Sequence, residues 1–329
     1  MGREDRAQFR RVPLDGAALY FHPASGTHVR VENASTRSLR RSAPRVVMFG
    51  ITNACNFDCA YCSRDRARPS RWTHESALGV LQGLCAAGTL EVAFGGGEPF
   101  AFRGFAGLID ELHATTSLAL HVTTNGSLLN SSMWAGFSGR FGQVRLSLHH
   151  DLAILRRAAR TLSEAGQLFG ANLIVDAECL ARLPELLVEL AELGCHDVSL
   201  LRYVGADASR HLDALGRERL AACIAEAPLP CRVSVCFGSE LSVPRLFDGA
   251  DGSGDCGAGY DFVTLSPDRK LSGCSFQDSG LTVERAVDVL RGWRLGRARF
   301  AQPASRDGCA RRALETIAPA RQAPPLAIW

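Results

Sequence analysis

The sequence predicts an α/β fold: a partial (β/α)6 barrel of the TIM-like kind, followed by a small C-terminal subdomain with a β-hairpin and a helix. From residue 46 onward, short apolar runs alternate with segments whose apolar residues lie three and four positions apart, the spacings of strands and amphipathic helices. Successive runs start about 25 to 45 residues apart, the length of a strand plus a crossover helix. Repeated βα units imply a parallel sheet whose ligands bind at the carboxyl ends of the strands.

Six apolar runs are the predicted barrel strands, and they begin at Val46, Leu90, Leu118, Gln143, Ala171 and Asp197. The helices between them are predicted to begin at His74, Phe105, Leu152 and Leu183. Two of these helical segments stop at a glycine, Gly166 and Gly194, as helices often do. A further helix over residues 209–227 and a strand from Cys231 follow the sixth unit.

Three regions are predicted along the chain. Residues 1–44 hold a hairpin over Leu19–Val31, with its turn at Ser25-Gly26, and an arginine-rich linker. Residues 45–244 form the partial barrel, and a Gly- and Asp-rich segment near residue 245 indicates its boundary. Residues 245–329 form the C-terminal subdomain, with a hairpin that turns at Pro267-Asp268, a helix over 282–292 and an extended tail.

The composition is that of an ordinary globular protein. The chain has 329 residues, with 37 Lys and Arg against 34 Asp and Glu, and 46% of the residues are hydrophobic, which excludes disorder over most of the length. No apolar stretch approaches the ~18 residues that a membrane helix needs, and the N-terminus has no secretory or lipidation signal. A net charge of +3 does not indicate a nucleic-acid partner. We expect a cytoplasmic protein with neither a nucleic-acid nor a membrane partner.

The twelve cysteines are too irregularly spaced for a disulfide framework, which indicates metal or redox chemistry in a cytoplasmic chain. Cys55, Cys59 and Cys62 follow the first barrel strand directly. A CxxxCxxC loop supplies three of the four thiolates that hold a [4Fe–4S] cluster and leaves one iron open to bind a substrate. The alternative is a structural zinc site, for which Thr73-His74 offers the nearest fourth ligand.

Three successive motifs resemble the radical S-adenosylmethionine (SAM) superfamily, and the resemblance extends over residues 45–203. ITNACNFDCAYCSRD is similar to the cluster loop of that family, including an aromatic residue, Tyr61, before the third cysteine. The third strand ends in TTNG, and the fourth carries Ser147 within RLSLHH, where related enzymes line the cofactor pocket. The second strand leads into GGGEP, which matches the Gly-Gly-Glu motif of the family at Gly96, Gly97 and Glu98.

The resemblance implies that a low-potential cluster reduces SAM and breaks its S–C5′ bond, giving methionine and a 5′-deoxyadenosyl radical. In the family, the amino and carboxylate groups of SAM chelate the open iron. Gly96 and Gly97 would bring the backbone close to the methionyl ammonium, for which Glu98 supplies an acceptor. The other residues implied to bind the cofactor are Tyr61, Thr124, Asn125, Ser147 and Arg202.

Alternatives stay open for several of these residues. Thr124, Asn125 and Ser147 could instead satisfy backbone groups at the strand ends, and Arg202 could be a surface arginine instead of the partner of a carboxylate. Many relatives have Asp-Gly after the serine of the fourth strand, whereas this chain has HHD at residues 149–151. His149 is the candidate proton acceptor or substrate contact at that departure.

The segment CGAGYDFVTLSPDRKLSGCSF resembles the start of a SPASM or twitch subdomain, in which a hairpin between two cysteines helps to hold an auxiliary iron–sulfur cluster. The resemblance implies Cys256 and Cys274 as the first two ligands, and Cys309 as the third. Cys236, a non-cysteine side chain or the substrate would be the fourth. A full SPASM domain needs more cysteines, so we expect one auxiliary cluster; the alternative is a hairpin with incidental buried cysteines.

These resemblances imply a radical SAM enzyme that abstracts a hydrogen atom from its substrate. We expect the substrate to be a ribosomally synthesised peptide that undergoes crosslinking or oxidation. The alternatives are a dehydrogenase or epimerase of a small polar metabolite, such as a sugar or an aminocyclitol, and a non-catalytic iron–sulfur binding or sensing protein. The reductant would be an external electron donor such as flavodoxin or ferredoxin.

The N-terminal region bears on how a peptide would be recognised. Only residues 1–44 precede the predicted barrel region, which is too few for a leader-binding domain with its own core. We therefore expect a separate peptide-recognition protein, or docking on the edge of the hairpin by strand addition, with the arginine-rich linker meeting acidic residues.

Overall fold

The structure is a computed structural model that describes residues 8–23, 27–62, 68–148, 152–204, 207–234, 236–237, 241, 243, 257–275 and 280–300, the last three of them without their side chains. These residues form a sheet of three strands and a main sheet of ten strands, with helices. None of the helices described is long and apolar enough to cross a membrane.

The smaller sheet is antiparallel and lies at the N-terminal end, with the strands β1 (Arg10–Pro13), β2 (Ala18–Phe21) and β3 (His28–Val31) in that order. β2 and β3 form the predicted hairpin, whose turn at Ser25-Gly26 is outside the described residues. The sequence pattern did not predict β1, because its RRVP segment has one β-branched residue and ends in proline. β2 packs Leu19 and Phe21 on Leu90 and Ala119 of the barrel.

The main sheet confirms the predicted α/β class and partial barrel. Seven parallel strands succeed one another in chain order: β4 (Val46–Thr52), β5 (Glu91–Gly96), β6 (Ala119–Thr124), β7 (Gln143–Ser147), β8 (Phe169–Val175), β9 (Val198–Arg202) and β10 (Cys231–Val233). β11 (Phe262–Leu265) lies parallel to β4, and β12 (Lys270–Ser272) and β13 (Leu281–Thr282) follow in antiparallel pairs. β10 and β13 are the two ends of this sheet, so the barrel is open.

The described helices are α1 (His74–Ala87), α2 (Phe105–Thr115), α3 (Ser131–Ala135), α4 (Leu152–Glu164), α5 (Ala177–Glu192), α6 (Ala214–Ala225) and α7 (Ala286–Phe300). They cover one face of the main sheet. On β4 this face carries Val47, Phe49 and Ile51, which are buried in the core with side chains of α1 and α2. The opposite face of the same strand carries Met48, Gly50 and Thr52, because successive side chains of a strand alternate in direction.

Helix α5 begins before its predicted start at Leu183. Asp176 caps the helix, because its Oδ1 accepts a hydrogen bond of 2.9 Å from the amide of Cys179. Pro184 lies inside the helix, although proline is typical of a first helical turn. The side-chain cap and the buried Leu180 determine the true start.

The last two helices also differ from their predicted ranges. α6 begins at Ala214 instead of residue 209, since Asp213 caps it through the amide of Gly216 at 2.7 Å. α7 begins at Ala286 instead of residue 282, because Leu281 and Thr282 pair with β12 as strand β13. Long-range strand pairing therefore replaces the first turn of the predicted helix.

The C-terminal hairpin of β11 and β12 belongs to the same sheet as the barrel strands. β11 pairs with β4 from Phe262 opposite Val46 to Leu265 opposite Phe49. The predicted boundary near residue 245 lies in a part of the chain outside the described residues, as does the tail beyond residue 300. The three-region division stays a prediction.

A buried ionic network holds these parts together at the amino ends of the strands. Asp261, just before β11, accepts a hydrogen bond from Arg41 at 2.6 Å and one from Arg45 at 2.7 Å. Arg41 also pairs with Asp15 at 3.0 Å, and Arg45 pairs with Glu91 of β5 at 2.8 Å. The network joins the N-terminal sheet, the linker, the barrel and the C-terminal hairpin on the side opposite to the carboxyl ends.

Candidate cofactor site at the carboxyl ends of the strands

The cluster loop, residues 53–62, follows β4 and carries three half-buried cysteines, Cys55, Cys59 and Cys62. The amide of Cys62 donates a hydrogen bond of 2.9 Å to the carbonyl of Cys59, which folds this end of the loop into a turn. Burial raises the pKa of the Cys55 and Cys59 thiols, and the neighbouring cysteines raise both further. The three sulfurs are therefore close enough to interact electrostatically.

The sequence leaves two metal sites open at this loop, a [4Fe–4S] cluster and a single zinc ion. No group of three or more His, Cys, Asp or Glu in the part of the chain that the structure describes converges to hold one metal ion. In a [4Fe–4S] cube each cysteine binds a different iron, so the sulfurs lie farther apart than the ligands of one ion. His74, the alternative zinc ligand, contacts Glu111 at 3.3 Å and lies beside Gly107 of α2.

Gly96 and Gly97, at the end of β5, let the cluster loop approach this strand closely. A Cβ at Gly96 would lie 2.3 Å from the carbonyl oxygen of Thr52, and one at Gly97 would lie 2.1 Å from that of Ala54. In this space the amide of Gly97 donates to Thr52 at 2.6 Å and that of Glu98 donates to Ala54 at 2.8 Å. Only glycine fits at both positions, because any other residue would collide with the base of the cluster loop.

Glu98 is fully buried and connects two of the predicted motifs. One carboxylate oxygen accepts from the Thr124 hydroxyl at 2.8 Å and from the amide of Phe100 at 3.2 Å. The other accepts from the amide of Asn125 at 2.8 Å. Desolvation raises the pKa of Glu98, and these three hydrogen bonds oppose that rise. The carboxyl group is thus held rigidly at the ends of β5 and β6.

Asn125 extends this network to the cluster loop. The side-chain nitrogen Nδ2 of Asn125 donates to Oδ1 of Asn56 at 3.0 Å and lies 3.9 Å from the sulfur of Cys55. Its side-chain oxygen accepts from the amide of Ser127 at 2.9 Å. Thr124 therefore contacts the Gly-Gly-Glu motif, and Asn125 contacts the cluster loop and a local backbone amide. Their binding to SAM stays a prediction.

A second connection to the cluster loop was missed by sequence reasoning. The guanidinium carbon of Arg210 lies 5.4 Å from the ring centre of Tyr61 and 4.9 Å from that of Tyr203. Arg210 also donates to Oδ2 of Asp176 from Nε at 3.1 Å and from Nη2 at 2.8 Å. We call Tyr61, Arg210, Asp176 and Tyr203 the arginine clamp. An acidic residue directly after a strand could have indicated Asp176, but no local pattern points to Arg210.

Ser147 and Arg202 lie on opposite faces of the main sheet. Ser147 ends β7 opposite Asn172 of β8, and both lie on the strand face that the helices leave open. Arg202 pairs with Val175 in register, on the helix-covered face, and its Nη1 donates to the carbonyl of Cys236 at 3.2 Å. Ser147 is thus placed toward the candidate cofactor site, and Arg202 toward the loop that carries Cys236.

A cleft of about 370 Å³ opens beside Tyr61, over the end of β8 and between helices α4 and α5. Its apolar lining includes Leu148, Leu152, Ile174 and Leu186. Its charged rim consists of Asp176, Arg210, Arg156, Glu189, Glu178, Arg182 and Glu185. The cleft joins the arginine clamp to the outer surface, which makes it the candidate substrate site.

Several predicted residues fall outside the described part of the chain, namely His149, Cys256 and Cys309. Cys236 and Cys274 are described and are half-buried. The carbonyl of Cys274 accepts from the Ser272 hydroxyl at 3.0 Å at the end of β12. The ligand set of an auxiliary cluster stays a prediction.

Residues 49–177 match the sequence model of the Radical SAM superfamily. This segment contains the three cysteines of the cluster loop, the Gly-Gly-Glu motif, and Thr124, Asn125 and Ser147. This segment is therefore similar to the domain of a superfamily whose members are enzymes. The family implies a [4Fe–4S] cluster and SAM as cofactors.

The curated relatives include a protein from Methanopyrus kandleri described as a probable GTP 3′,8-cyclase. It is 28% identical over 49% of this chain, and the chain spans 58% of the length of that relative.

Solved structures with the same fold include SuiB of Streptococcus suis, with a TM-score of 0.68 and 14% identity over 87% of this chain and 88% of that chain. SuiB bound to its precursor peptide SuiA gives a TM-score of 0.67 and 14% identity over 86% and 88%. A structure of anSMEcpe with bound AdoMet and the Kp18Cys peptide gives 0.59 and 15% identity over 78% and 84%. At these identities the likeness concerns the fold.

Proposed function

We propose that this chain is a radical SAM enzyme that modifies a ribosomally synthesised peptide by crosslinking or oxidation. Cys55, Cys59 and Cys62 would hold the [4Fe–4S] cluster. The cluster and SAM, when bound, supply reductive cleavage of SAM to a 5′-deoxyadenosyl radical that abstracts a hydrogen atom. The observation that carries this proposal is the contact of Glu98 with Thr124 and Asn125, and of Asn125 with the cluster loop.

The protein residues around the cofactor would orient SAM. Glu98 supplies a fixed carboxylate for the methionyl ammonium, since a carboxylate oxygen that already accepts one or two hydrogen bonds still has capacity for a charged donor. Ser147 would donate to an oxygen of SAM from the strand face that the helices leave open. Tyr61 would form one wall of the cofactor site, where the guanidinium of Arg210 lies over its ring.

The peptide substrate is supported by the fold. SuiB, which is described in complex with its precursor peptide SuiA, matches over 86% of this chain. The cleft beside Tyr61 continues from the strand ends to the outer surface between α4 and α5, a shape that admits an extended chain. We propose that the peptide enters there and docks also on the N-terminal sheet, aided where needed by a separate recognition protein.

A second candidate is a small polar metabolite, such as a sugar or an aminocyclitol. It is supported by the relative from Methanopyrus kandleri, whose described substrate, GTP, is a small molecule. In either case we propose an external electron donor such as flavodoxin or ferredoxin. We also propose a twitch-like subdomain with one auxiliary cluster that uses Cys256, Cys274 and Cys309, with Cys236 as the candidate fourth ligand.

Anaerobic incubation with SAM and dithionite tests the proposed chemistry. The reconstituted wild type should form 5′-deoxyadenosine, and the variant with Cys55, Cys59 and Cys62 replaced by Ala should form none. Cys223→Ala, which removes a half-buried cysteine of α6, is the matched control and should keep the activity. Formation of 5′-deoxyadenosine by the triple variant would refute the assignment.

The substrate class is tested separately by mass spectrometry. Any precursor peptide encoded beside the gene should lose hydrogen or gain a crosslink in the presence of the wild type, SAM and reductant. Modification of a sugar or an aminocyclitol, with the peptides left unmodified, would reject the peptide substrate and favour the small polar metabolite. Iron analysis of the triple cysteine variant tests the auxiliary cluster. This variant should retain about four iron atoms, those of the auxiliary cluster.

A further inference from the structure

The turn between β11 and β12 lies against the segment that leads from the cluster loop to α1. This hairpin turn, Ser266–Arg269, is fixed by its own hydrogen bonds: the amide of Arg269 donates to the carbonyl of Ser266 at 3.0 Å, and the amide of Ser266 donates to that of Lys270 at 2.9 Å. Arg269 has a φ of +61°, the only positive φ outside glycine among the described residues. The turn therefore has a defined backbone conformation that its own hydrogen bonds hold.

The segment that leaves the cluster loop packs on this turn. We call residues 68–73 the return segment, because they lead from the loop to α1. The indole nitrogen of Trp72 donates to the carbonyl of Ser266 at 2.8 Å, and the amide of Arg71 donates to that of Pro267 at 2.9 Å. The guanidinium carbon of Arg269 lies 5.0 Å from the ring centre of Trp72.

The same turn also rests on the strand that leads into the cluster loop. A Cβ at Gly50 of β4 would lie 2.8 Å from Cδ of Pro267 and 3.1 Å from the carbonyl oxygen of Leu265. The missing side chain at Gly50 leaves the room that the proline ring occupies. Gly50 lies two residues before Thr52, the base of the loop.

The return segment is in turn bound to the base of the cluster loop. Ser70 Oγ accepts from the amide of Asn53 at 2.7 Å and lies 3.1 Å from Oγ1 of Thr52. The side-chain amide of Asn53 donates to the carbonyl of Arg68 at 3.2 Å. Thr52 also accepts from Gly97 of the Gly-Gly-Glu motif. A continuous set of contacts thus runs from Ser266 through the return segment to the cofactor site.

We propose that the hairpin turn is a positioning element for the SAM cluster loop, and that Trp72 is the positioning residue that transmits its support. The proposal rests on the proposed function, because it concerns the loop that would hold the cluster. β12 continues from the turn toward Cys274. The C-terminal hairpin therefore controls the loop geometry, and a change in this hairpin alters the N-terminal cluster without touching a cluster cysteine or Glu98.

The chain offers a matched pair of tryptophans for the test. Trp72 and Trp293 are both buried, and Trp293 donates to the carbonyl of Tyr260 at 2.9 Å, with Arg297 at 4.8 Å from its ring centre. Trp72→Phe and Trp293→Phe remove the same kind of bond and a similar ring volume. Only the first touches the hairpin turn and the return segment.

Hydrogen exchange on the full chain, with and without reconstituted iron, measures loop support directly. In Trp72→Phe the amides of residues 53–62 should exchange about tenfold faster than in the wild type, the factor expected for one lost hydrogen bond. In Trp293→Phe these amides should exchange at the wild-type rate. Equal exchange in the two variants would overturn the proposal. Pro267→Ala, which removes the ring from Gly50, should give the same loop response and serves if Trp72→Phe does not fold.

A spectroscopic readout separates this positioning role from general stability. After reduction, the electron paramagnetic resonance signal of the N-terminal cluster and its shift on addition of SAM should change in Trp72→Phe and not in Trp293→Phe. Identical signals would also overturn the proposal. If the wild type forms no 5′-deoxyadenosine while Trp72→Phe still loosens residues 53–62, the proposed function fails and the mechanical coupling stands.

Discussion

The hydroxyl of Thr124 donates a hydrogen bond of 2.8 Å to the buried carboxylate of Glu98 and thereby ties the end of β6 to the end of β5. The two residues are far apart in the sequence and become neighbours because parallel strands bring their carboxyl ends to one edge of the sheet. With the amide of Asn125 on the other oxygen, Glu98 is fixed before any ligand arrives. Such a fixed carboxylate reduces the ordering that a bound ammonium would require.

Replacing Glu98 by Gln tests this carboxylate. One hydrogen bond from Thr124, Phe100 or Asn125 must be lost, but the cost of burying a charge disappears, so the stability at pH 7 should change by less than about 1 kcal/mol. SAM should bind at least about tenfold more weakly, because its ammonium loses a charged acceptor. Chemical denaturation and equilibrium dialysis with SAM check the two effects. Unchanged SAM affinity would remove Glu98 from the cofactor site.

The same variant has a predicted pH dependence. Burial raises the pKa of Glu98 above its ordinary value, so the folded state holds this proton more tightly than the unfolded state does. The stability of the wild type relative to Glu98→Gln should therefore be greatest below the unfolded-state pKa, and should fall as the pH rises through the folded-state pKa. Denaturation curves from mildly acidic to neutral pH measure this difference. A relative stability that rises with pH would contradict the predicted direction.

The close approach at Gly97 predicts that Gly97→Ala disrupts the cluster loop. The new methyl group would lie 2.1 Å from the carbonyl oxygen of Ala54, so the backbone of the loop must move. We expect loss of iron after reconstitution and a destabilisation of about 1 to 3 kcal/mol from this overpacking. Gly79→Ala is the control, since a Cβ there meets nothing within 4 Å in helix α1 and should stabilise the helix by roughly 0.5 to 1 kcal/mol. Full iron binding by Gly97→Ala would disprove the steric argument.

The arginine clamp predicts a role for Arg210 in holding Tyr61. Arg210→Met keeps an apolar stem but loses the ion pair with Asp176 and the charge over Tyr61 and Tyr203. We expect a loss of about 1 to 2 kcal/mol of stability, the sum of a partly exposed ion pair and two cation–π contacts. SAM should bind more weakly, because the wall formed by Tyr61 loosens.

The control for this clamp is Arg182→Met. Arg182 is exposed on the rim of the same cleft, and the described residues show no ion pair to it. Its replacement should change stability by less than about 0.5 kcal/mol and leave SAM affinity unchanged. Equal effects of the two substitutions would mean that the cleft charge as a whole matters, and not the clamp.

The ionic network around Asp261 predicts strong acid sensitivity. Asp261→Asn leaves Arg41 and Arg45 without their shared carboxylate, which should cost about 3 to 5 kcal/mol of stability. The two arginines hold the pKa of Asp261 below its ordinary value. The stabilisation is thus present above the unfolded-state pKa and is lost as the pH falls through the folded-state pKa. Urea denaturation at several pH values checks both effects.

Asp110→Asn is the matched control for the network, because Asp110 forms an exposed pair with Arg140 at 2.6 Å. This substitution should lower the stability by less than about 1 kcal/mol, and the loss of stability at acidic pH should remain as in the wild type. An equal loss in the two variants would indicate that the buried network adds nothing beyond a surface pair.

The sequence by itself determined the order of the βα units and the motifs that end the strands. Apolar periodicity reports local structure, because each strand or helix selects side chains by its own repeat. This is why β4 to β10 lie close to their predicted positions and why Gly96, Gly97, Glu98, Thr124 and Asn125 meet where parallel strands end. The cysteine spacing predicts the cluster ligands from the sequence alone, since the three thiols are neighbours along the chain, and this assignment stays a prediction.

The tertiary structure alone decided which residues support that site. Arg210 stacks on Tyr61, Arg202 turns to Cys236, and the turn at Ser266 receives Trp72. It also decided that β11 pairs with β4 and that Asp176 starts α5 ahead of Pro184. Most of these contacts join residues that are distant in the chain. The Asp176 cap starts α5 although the local sequence favours a start near Pro184. Their energies depend on packing and desolvation in the assembled fold, which no local repeat in the sequence encodes.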